Sequence, residues 1–172
     1  VISTDTRKIA PGSIFFALKG DKFDANTFAE QAIAAGAAYA VIDNPAYSLG
    51  EKFLLVDDVL STLQDLARHH RRQLTIPVVG LTGTNGKTTT KEILPIALNA
   101  LGRTHASAAS YNNHWGVPLS LASMPRDAEY GVFEVGMNHF GELRNLVGFV
   151  KPHVALITTI APAHMGQASF VT

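Results

Sequence analysis

The segment at residues 78–90 reads Val-Val-Gly-Leu-Thr-Gly-Thr-Asn-Gly-Lys-Thr-Thr-Thr. It begins with an apolar run that is typical of a buried strand, turns at Gly83 and Gly86, and continues into a helical pattern. Glycine lets the backbone curl so that successive N–H groups point at one anion, and the positive end of the helix dipole lies at the same place. The stretch therefore predicts a phosphate-binding loop between a strand and a helix.

The loop predicts a mononucleotide site with Mg²⁺. Lys87 supplies a positive charge for the β- and γ-phosphates, and the Thr88 hydroxyl can ligate Mg²⁺. The commonest spacing of such loops places the first glycine where this chain has Leu81, so a strand-to-helix turn that merely uses glycines is the alternative. The flanking strand and helix favour nucleotide binding. The predicted contacts are Gly83, Thr84, Asn85, Gly86, Lys87, Thr88 and Thr89.

The composition excludes several classes of protein. The 172 residues are 47% apolar and 16% charged, the 14 basic and 14 acidic side chains cancel, and there is no cysteine. Intrinsic disorder needs low hydrophobicity and high net charge, and a disulfide scaffold needs cysteine. No apolar run approaches the ~20 residues of a membrane span, and no basic excess is present to neutralise nucleic-acid phosphates. We therefore expect globular domains with neither membrane insertion nor nucleic-acid binding.

Short apolar runs alternate with helical patterns along the whole chain, which predicts an α/β fold with mainly parallel strands. Pro77 marks the expected domain boundary, which gives domains at 1–76 and 77–172. The predicted strands lie at 13–18, 39–43, 53–56, 78–82, 104–106, 132–135 and 154–159. The predicted helices lie at 27–36, 58–74, 88–101 and 142–150, and a further helix begins at Pro118.

Two helix ends carry specific signals. Thr27 and Glu30 form a capping-box pattern at the start of the first helix, and Gly36 suits the left-handed position that ends it. The pair His69 and His70 stands among arginines near the end of the second helix. We favour a solvated last turn there, in which the cations complement the helix dipole, over a phosphate or metal patch.

Polar residues follow the strands of the second domain, where ligands bind in open α/β sheets. Asn112 and Asn113 can bond phosphate or substrate oxygens, or they can bond their own backbone in a turn. Glu134 lies within an apolar strand, where a carboxylate is costly unless it is paired or metal-bound, and we favour a Mg²⁺ ligand over a salt bridge. His164 follows the last strand, and an isolated histidine is more often structural than catalytic.

Taken in order, these motifs resemble those of the Mur ligases of peptidoglycan synthesis, whose phosphate loop matches residues 82–88. Two narrower segments are Asn-Asn-His-Trp-Gly-Val-Pro-Leu at 112–119 and Glu-Val-Gly-Met-Asn-His-Phe-Gly-Glu at 134–142. They look like the N-N-x-x-G-x-P-L and E-x-G-x-N-x-x-G-E patterns of the branch that joins D-alanyl-D-alanine to UDP-N-acetylmuramoyl-tripeptide. Segments 3–7 and 15–20 look like the N-terminal uridine-nucleotide domain of that branch.

The resemblance implies a role for each candidate residue of the second domain. Lys87 would bind the ATP phosphates, Thr88 and Glu134 would hold one Mg²⁺, and His164 would help to hold a second. Either Asn112 or Asn113 would contact the reacting phosphate or the substrate. The implied catalytic set is Lys87, Glu134, His164, Asn112 and Asn113.

In the first domain, the resemblance implies that the UDP moiety is faced by Ser3, Thr4, Asp5 and Arg7. A hydroxyl and an arginine suit a pyrophosphate chemically, although without the resemblance we favour a turn with a structural Asp–Arg pair. Asn26 stands where related sequences often carry His, which weakens a substrate role for it.

The implied reaction is an ATP-dependent, ADP-forming amide ligation in cell-wall synthesis, and hence in cell shape and division. The carboxylate of UDP-N-acetylmuramoyl-tripeptide attacks the γ-phosphate, and the amine of D-alanyl-D-alanine displaces phosphate from the resulting acyl phosphate. We expect a cytoplasmic monomer. The chain would begin inside the uridine-nucleotide domain at 1–76, stop inside the ATP-binding domain at 77–172 and lack a C-terminal ligase domain, so it would be inactive alone. The alternatives are another Mur-type ligase, folylpolyglutamate synthetase, or a non-catalytic nucleotide-binding module.

Overall fold

The computed structural model describes residues 1–108, 111–137 and 141–161. The chain divides into two compact units, Val1–Leu66 and Ala67–Thr172. This division falls within a helix, earlier in the chain than the boundary expected at Pro77. Each unit contains a four-stranded parallel sheet, so the predicted α/β class with mainly parallel strands is confirmed.

The first unit is built on a parallel sheet and a small antiparallel hairpin. Its strands are β1 (Ile2–Ser3), β2 (Ile14–Phe16), β3 (Lys19–Gly20), β4 (Phe23–Asp24), β5 (Tyr39–Ile42) and β6 (Phe53–Leu55), and its first α-helix is α1 (Ala29–Ala34). The parallel sheet has the order β1-β2-β5-β6, while β3 and β4 pair with each other. The sequence did not predict β1 or the hairpin, because strands of two residues carry no readable periodicity.

Small side chains let α1 pack closely on this sheet. Ala29 and Ala32 of the helix and Ala40 of β5 are fully buried beside Phe15. The expected left-handed glycine at the end of the helix is confirmed, since Gly36 has a φ of 106°.

The capping box predicted at Thr27 is wrong. Residues 25–28 form a 3₁₀ turn, which is capped by the Asp24 carboxylate accepting from Asn26 N. The Thr27 hydroxyl donates to the Asp24 carbonyl, and Phe28 precedes α1 without a side-chain cap. Asp24 is therefore the N-cap of this turn, in place of Thr27, which was expected to cap the helix.

The second unit alternates strands and helices regularly. Its strands are β7 (Val78–Thr82), β8 (Thr104–Ala106), β9 (Tyr130–Glu134) and β10 (Val154–Ile157), and its helices are α3 (Lys87–Leu98), α4 (Gly116–Ala122) and α5 (Glu142–Val150). The sheet order is β10-β7-β9-β8, and Leu81 pairs with Glu134 while Thr82 pairs with Ile157. The carboxyl ends of β7, β9 and β10 therefore meet at one edge, where the loop at 83–86 begins.

The helix α2 (Val59–Gln73) crosses the division between the units, and the prediction for its last turn is wrong in part. Arg71 is only 7% exposed and donates to the carbonyls of Leu74, Val150 and Lys151. His70 Nε2 lies 2.8 Å from the Met124 carbonyl. Only part of this turn is solvated, because Arg71 satisfies carbonyls that α5 leaves open at its carboxyl end. Among the described residues, no helix is both long and apolar enough to cross a membrane.

Candidate nucleotide-phosphate site

The loop between β7 and α3 has the backbone conformation that its glycines predicted. Gly83 has a φ of 136° and Gly86 a φ of 81°, values that favour glycine, and Gly86 directly precedes the first residue of α3. A Cβ atom on Gly83 would collide with the Thr158 hydroxyl and lie 3.0 Å from the backbone of Thr159. The loop therefore tolerates no side chain at this position.

The Lys87 side chain folds back over the loop. Its Nζ donates to the Gly83 carbonyl at 2.6 Å and to the Thr84 carbonyl at 3.2 Å. These bonds hold the ammonium at the mouth of the loop and at the N-terminus of α3. An anion that enters there meets the ammonium and the positive end of the helix dipole together.

Glu134 ends β9 beside the loop and is 1% exposed. Its Oε2 accepts from the Thr88 hydroxyl at 3.1 Å, and its Oε1 accepts from Asn112 Nδ2 at 2.8 Å. Its backbone N–H donates to the Ser107 hydroxyl. The structure therefore brings three predicted site residues, Thr88, Asn112 and Glu134, into one hydrogen-bonded cluster, and the carboxylate is paired as its burial requires.

The two asparagines have different surroundings. Asn113 Oδ1 accepts from the backbone N–H of Trp115 and of Gly116, so it closes the first turn of α4. Asn112 contacts the Glu134 carboxylate, and its carbonyl accepts from Gly136 N at 2.8 Å. Of the pair, the side chain of Asn112 is the one that reaches the cluster beside the loop, whereas Asn113 makes the turn contacts weighed as its alternative role.

The donor set fits a hard divalent cation. The Thr88 hydroxyl and the Glu134 carboxylate are oxygen donors, which Mg²⁺ prefers, and both lie next to the loop at the carboxyl edge of the sheet. The candidate second ligand, His164, lies outside the described residues. Within the described ranges, no group of three or more His, Asp or Glu side chains is arranged to hold a metal on its own.

The segment at residues 158–161, to which the sequence assigned no role, supports the loop from the end of β10. Thr84 N donates to the Thr159 carbonyl at 2.7 Å, and the Thr84 hydroxyl contacts both the N–H and the carbonyl of Ala161. The Thr158 hydroxyl lies 2.5 Å from the Asn85 carbonyl. Thr158 and Thr159 end the strand predicted at 154–159, and their place at the carboxyl end of a strand of this sheet was the signal that could have found them.

In the first unit, residues 3–7 run from the last residue of β1 into a compact turn. The Ser3 hydroxyl donates to the Asp5 carbonyl, and Arg7 binds the Asp5 carboxylate through Nε at 2.8 Å and Nη2 at 2.7 Å. The hydrogen bonds from Arg7 lower the pKa of Asp5 from 3.8 to about 2. The structural Asp–Arg pair weighed for this segment is present, while the Arg7 side chain remains 85% exposed and Thr4 half-buried.

Asn26 belongs to a buried network in the same unit. Its Nδ2 donates to the carboxylates of Asp24 and Asp43, its Oδ1 accepts from Asp43 N, and Lys19 Nζ lies 2.7 Å from Asp43. Burial raises the pKa of Asp43, but the hydrogen bonds from Lys19, Asn26 and Val59 N outweigh it and lower the pKa overall. These contacts explain Asn26 without a ligand, in line with the weak substrate role expected for it.

Two family models match this chain. One, described as the Mur ligase middle domain, matches residues 81–170. The other, described as the catalytic domain of the Mur ligase family, matches residues 1–71. The chain belongs to the Mur ligase family. The interval between the two matched segments contains Pro77.

Named relatives of this Mur ligase chain come from several bacteria. It is 41% identical over 167 residues to the UDP-N-acetylmuramoyl-tripeptide–D-alanyl-D-alanine ligase of Synechocystis sp., covering 96% of this chain and 37% of the relative. It is 40% identical to the enzyme of the same name from Bacillus subtilis, covering 95% and 36% of the two chains. The chain thus spans little more than a third of the length of these relatives.

Solved structures of Mur ligases share this fold. A crystal structure of MurF from Acinetobacter baumannii matches with a TM-score of 0.84 and 38% identity, covering 96% of this chain and 37% of that one. MurF ligase from Thermotoga maritima, solved in complex with ADP, matches with a TM-score of 0.81 and 29% identity over 95% of this chain and 38% of that one. The expected resemblance to the D-alanyl-D-alanine-adding branch is confirmed by these names.

Proposed function

We propose that this Mur ligase chain is the substrate- and ATP-binding part of an enzyme that joins D-alanyl-D-alanine to UDP-N-acetylmuramoyl-tripeptide. The observation that carries the proposal is the cluster in which the phosphate-loop residue Thr88 and Asn112 both bind the buried Glu134 carboxylate. It adjoins the Lys87 ammonium at the loop, so cation and phosphate ligands are provided together. The relatives named for this ligase supply the substrate class.

The proposed reaction is an ADP-forming ligation through an acyl phosphate. The terminal carboxylate of the tripeptide attacks the γ-phosphorus of ATP, and the bond from that phosphorus to the bridging oxygen breaks to release ADP. The amine of D-alanyl-D-alanine then attacks the acyl carbon, phosphate leaves and the ammonium loses a proton. Charge builds up on the transferred phosphoryl group, and its stabilisation is the main contribution that a protein makes to such a step.

Each residue of the site has a role in this scheme. Lys87 would exchange the carbonyls of Gly83 and Thr84 for phosphate oxygens, which moves its charge only a short way. Thr88 and Glu134 would hold Mg²⁺, which when bound neutralises phosphate charge. Asn112 fixes the orientation of the Glu134 carboxylate by donating to its Oε1. His164 is proposed as a ligand of a second Mg²⁺ on the resemblance alone.

The uridine nucleotide is proposed to bind the first unit, with Ser3, Thr4, Asp5 and Arg7 facing the UDP moiety. Ser3 ends β1 and the other three follow it at the carboxyl edge of its parallel sheet, and the exposed Arg7 guanidinium is accessible to an anionic group. In this scheme residues 1–76 are a substrate domain and residues 77–172 an ATP-binding domain. We propose a monomeric, cytoplasmic enzyme that binds neither nucleic acid nor membranes.

The test uses the intact protein that contains this chain, with ADP release as the readout. We expect ADP release that requires ATP, Mg²⁺, UDP-N-acetylmuramoyl-tripeptide and D-alanyl-D-alanine together. The control reaction offers a diamino acid as the acceptor, together with the corresponding dipeptide nucleotide. We expect no ADP release in this reaction. Turnover with the diamino acid but not with D-alanyl-D-alanine would assign the protein to another branch. We expect the 172 residues alone to bind nucleotide without ligating, and product from them alone would contradict that expectation.

A further inference from the structure

The segment at residues 158–161, which follows β10, is hydrogen-bonded to the phosphate loop at several points. Thr158 N donates to the Thr82 carbonyl, Thr84 N donates to the Thr159 carbonyl, and the Thr84 hydroxyl is bonded to the backbone of Ala161. On the side of the segment, these contacts use four main-chain groups: the N–H of Thr158, the carbonyl of Thr159, and the N–H and carbonyl of Ala161. Any residue type except proline would supply them. The Thr158 side chain adds a contact that depends on residue type.

The Thr158 hydroxyl lies within reach of two carbonyls, one in the loop and one at the end of β7. Its Oγ1 is 2.5 Å from the Asn85 carbonyl and 3.3 Å from the Thr82 carbonyl. A hydroxyl has one proton to donate, and the shorter distance assigns that proton to Asn85. The bond therefore holds the carbonyl of the peptide that joins Asn85 to Gly86.

The orientation of this peptide decides where the next N–H points. The bond between Asn85 and Gly86 is trans, so its carbonyl and its N–H point in opposite directions. Because the Asn85 carbonyl points at Thr158, the Gly86 N–H points away from the segment at 158–161.

The peptide that joins Gly83 to Thr84 shows what lies on that side of the loop. Thr84 N donates to the Thr159 carbonyl, so the Gly83 carbonyl points away from the segment, and Lys87 Nζ binds it there at 2.6 Å. The Gly86 N–H therefore points to the side on which the Lys87 ammonium lies. An anion bound on this side would accept hydrogen bonds from both the Gly86 N–H and the Lys87 ammonium.

We propose that Thr158 is a positioning residue of the phosphate loop, whose hydroxyl sets the Asn85–Gly86 peptide so that the Gly86 N–H faces the nucleotide phosphates. The inference rests on the proposed nucleotide site. It deepens that site by adding a residue that acts through the loop and does not itself contact the phosphates.

The test compares ADP binding by the 172-residue chain and three variants. Thr158→Ala removes the hydroxyl, Thr158→Ser keeps it, and Thr104→Ala removes a hydroxyl that donates to the Gly102 carbonyl at the other edge of the same sheet. We expect Thr158→Ala to weaken ADP binding about tenfold or more, because a phosphate hydrogen bond is lost. Thr158→Ser and Thr104→Ala should bind ADP as the unaltered chain does.

A second readout separates positioning from a general loss of stability. In the unaltered chain, the Gly86 amide proton should shift downfield in the NMR spectrum when ADP is added, and Thr158→Ser should restore the shift that Thr158→Ala loses. Equal ADP affinity in the unaltered chain and Thr158→Ala would overturn the inference, as would an unchanged Gly86 shift in that variant. An unaltered chain that binds no ADP would instead overturn the proposed nucleotide site, and the inference with it.

Discussion

Glu134 is a fully buried carboxylate whose two oxygens have different partners, the Thr88 hydroxyl and the Asn112 amide. Both partners are neutral, so the negative charge is solvated by hydrogen bonds but not cancelled by either of them. A cation at this position would gain from that charge. The pairing therefore explains how the carboxylate tolerates burial and why it still suits a metal.

Glu134→Gln tests that charge while keeping the side-chain volume. We expect ADP affinity measured with Mg²⁺ to fall about tenfold or more, and affinity measured without Mg²⁺ to stay the same, because only the metal interaction is lost. Titration calorimetry of the 172-residue chain gives both values. Glu129→Gln is the matched control, since Glu129 accepts from Arg103 N at the start of β9. An equal effect of Mg²⁺ on all three proteins would contradict a metal site at Glu134.

Gly136 is the residue that lets Asn112 approach β9. A Cβ atom at Gly136 would lie 2.7 Å from Asn112 Cγ. We expect Gly136→Ala to lower the free energy of unfolding by about 1–3 kcal/mol, because the amide must move. Gly148→Ala is the control: nothing lies within 4 Å of its added Cβ, and alanine favours α5 by up to ~1 kcal/mol. Equal urea midpoints for the two variants would contradict this account of Asn112.

At the scale of elements, Arg71 of α2 closes the carboxyl end of α5. Its guanidinium donates to Val150 O, Lys151 O and Leu74 O, and Lys151 adopts a left-handed φ of 43° as α5 ends. Burial lowers the pKa of Arg71. The three carbonyls that accept from the guanidinium offset the cost of burying its charge. The last turn of α2 thus serves as a cap for another helix.

Arg71→Met removes these three bonds while keeping a flexible apolar stem. We expect the free energy of unfolding to fall by about 3 kcal/mol, because buried carbonyls lose charged donors. The exposed Arg72 provides the control, and Arg72→Met should change stability by no more than about 0.5 kcal/mol. Urea denaturation followed by circular dichroism measures both, and similar midpoints would show that the contacts of Arg71 contribute little.

His105 of β8 bonds α4 through the Ser120 carbonyl, with Nε2 at 3.0 Å. Burial lowers the pKa of His105, the bond to Ser120 opposes this, and the nearby His70 lowers the pKa further. A histidine whose pKa is depressed by folding stabilises the protein above its unfolded pKa of 6.5, and this contribution is lost as the pH falls through the folded pKa.

We therefore expect the urea midpoint of the unaltered chain to decrease as the pH is lowered from about 8 to about 5. The same decrease should be smaller in His105→Gln. Glutamine cannot take up a proton in this range, yet it can still donate to the Ser120 carbonyl. A fall of the same size in both proteins would show that other groups carry the pH dependence.

At the scale of the whole molecule, the order of elements could be predicted because each long element has a clear period. The strand at 78–82 and the helix at 142–150 are confirmed residue for residue. The helix predicted at 88–101 ends at Leu98, since the last residues form turns bonded to the preceding carbonyls. The two-residue strands β1, β3 and β4 could not be predicted, because partners far along the chain decide whether such short segments pair.

The site was predictable where a motif fixes backbone shape and unpredictable where side chains meet across the fold. The conformation of Gly83 and Gly86 follows from the loop motif. The different contacts of Asn112 and Asn113 do not follow from any motif. Two adjacent asparagines are equivalent in sequence, and only the fold directs one of them to Glu134. The contact of Thr158 with Asn85 joins residues 73 positions apart, a pairing that no local pattern contains.

The proposed ligase function is tested by the rate of ADP release from the intact protein and from its Lys87→Ala variant, with ATP, Mg²⁺ and both proposed substrates present. Lys87 is the cation that the loop holds at its mouth, where it would meet the charge of the transferred phosphoryl group. We predict that the variant loses activity by a factor of at least about 100, because a charge that stabilises the transition state is removed. ADP release by Lys87→Ala at the rate of the unaltered protein would contradict the phosphate site and the ligase function built on it.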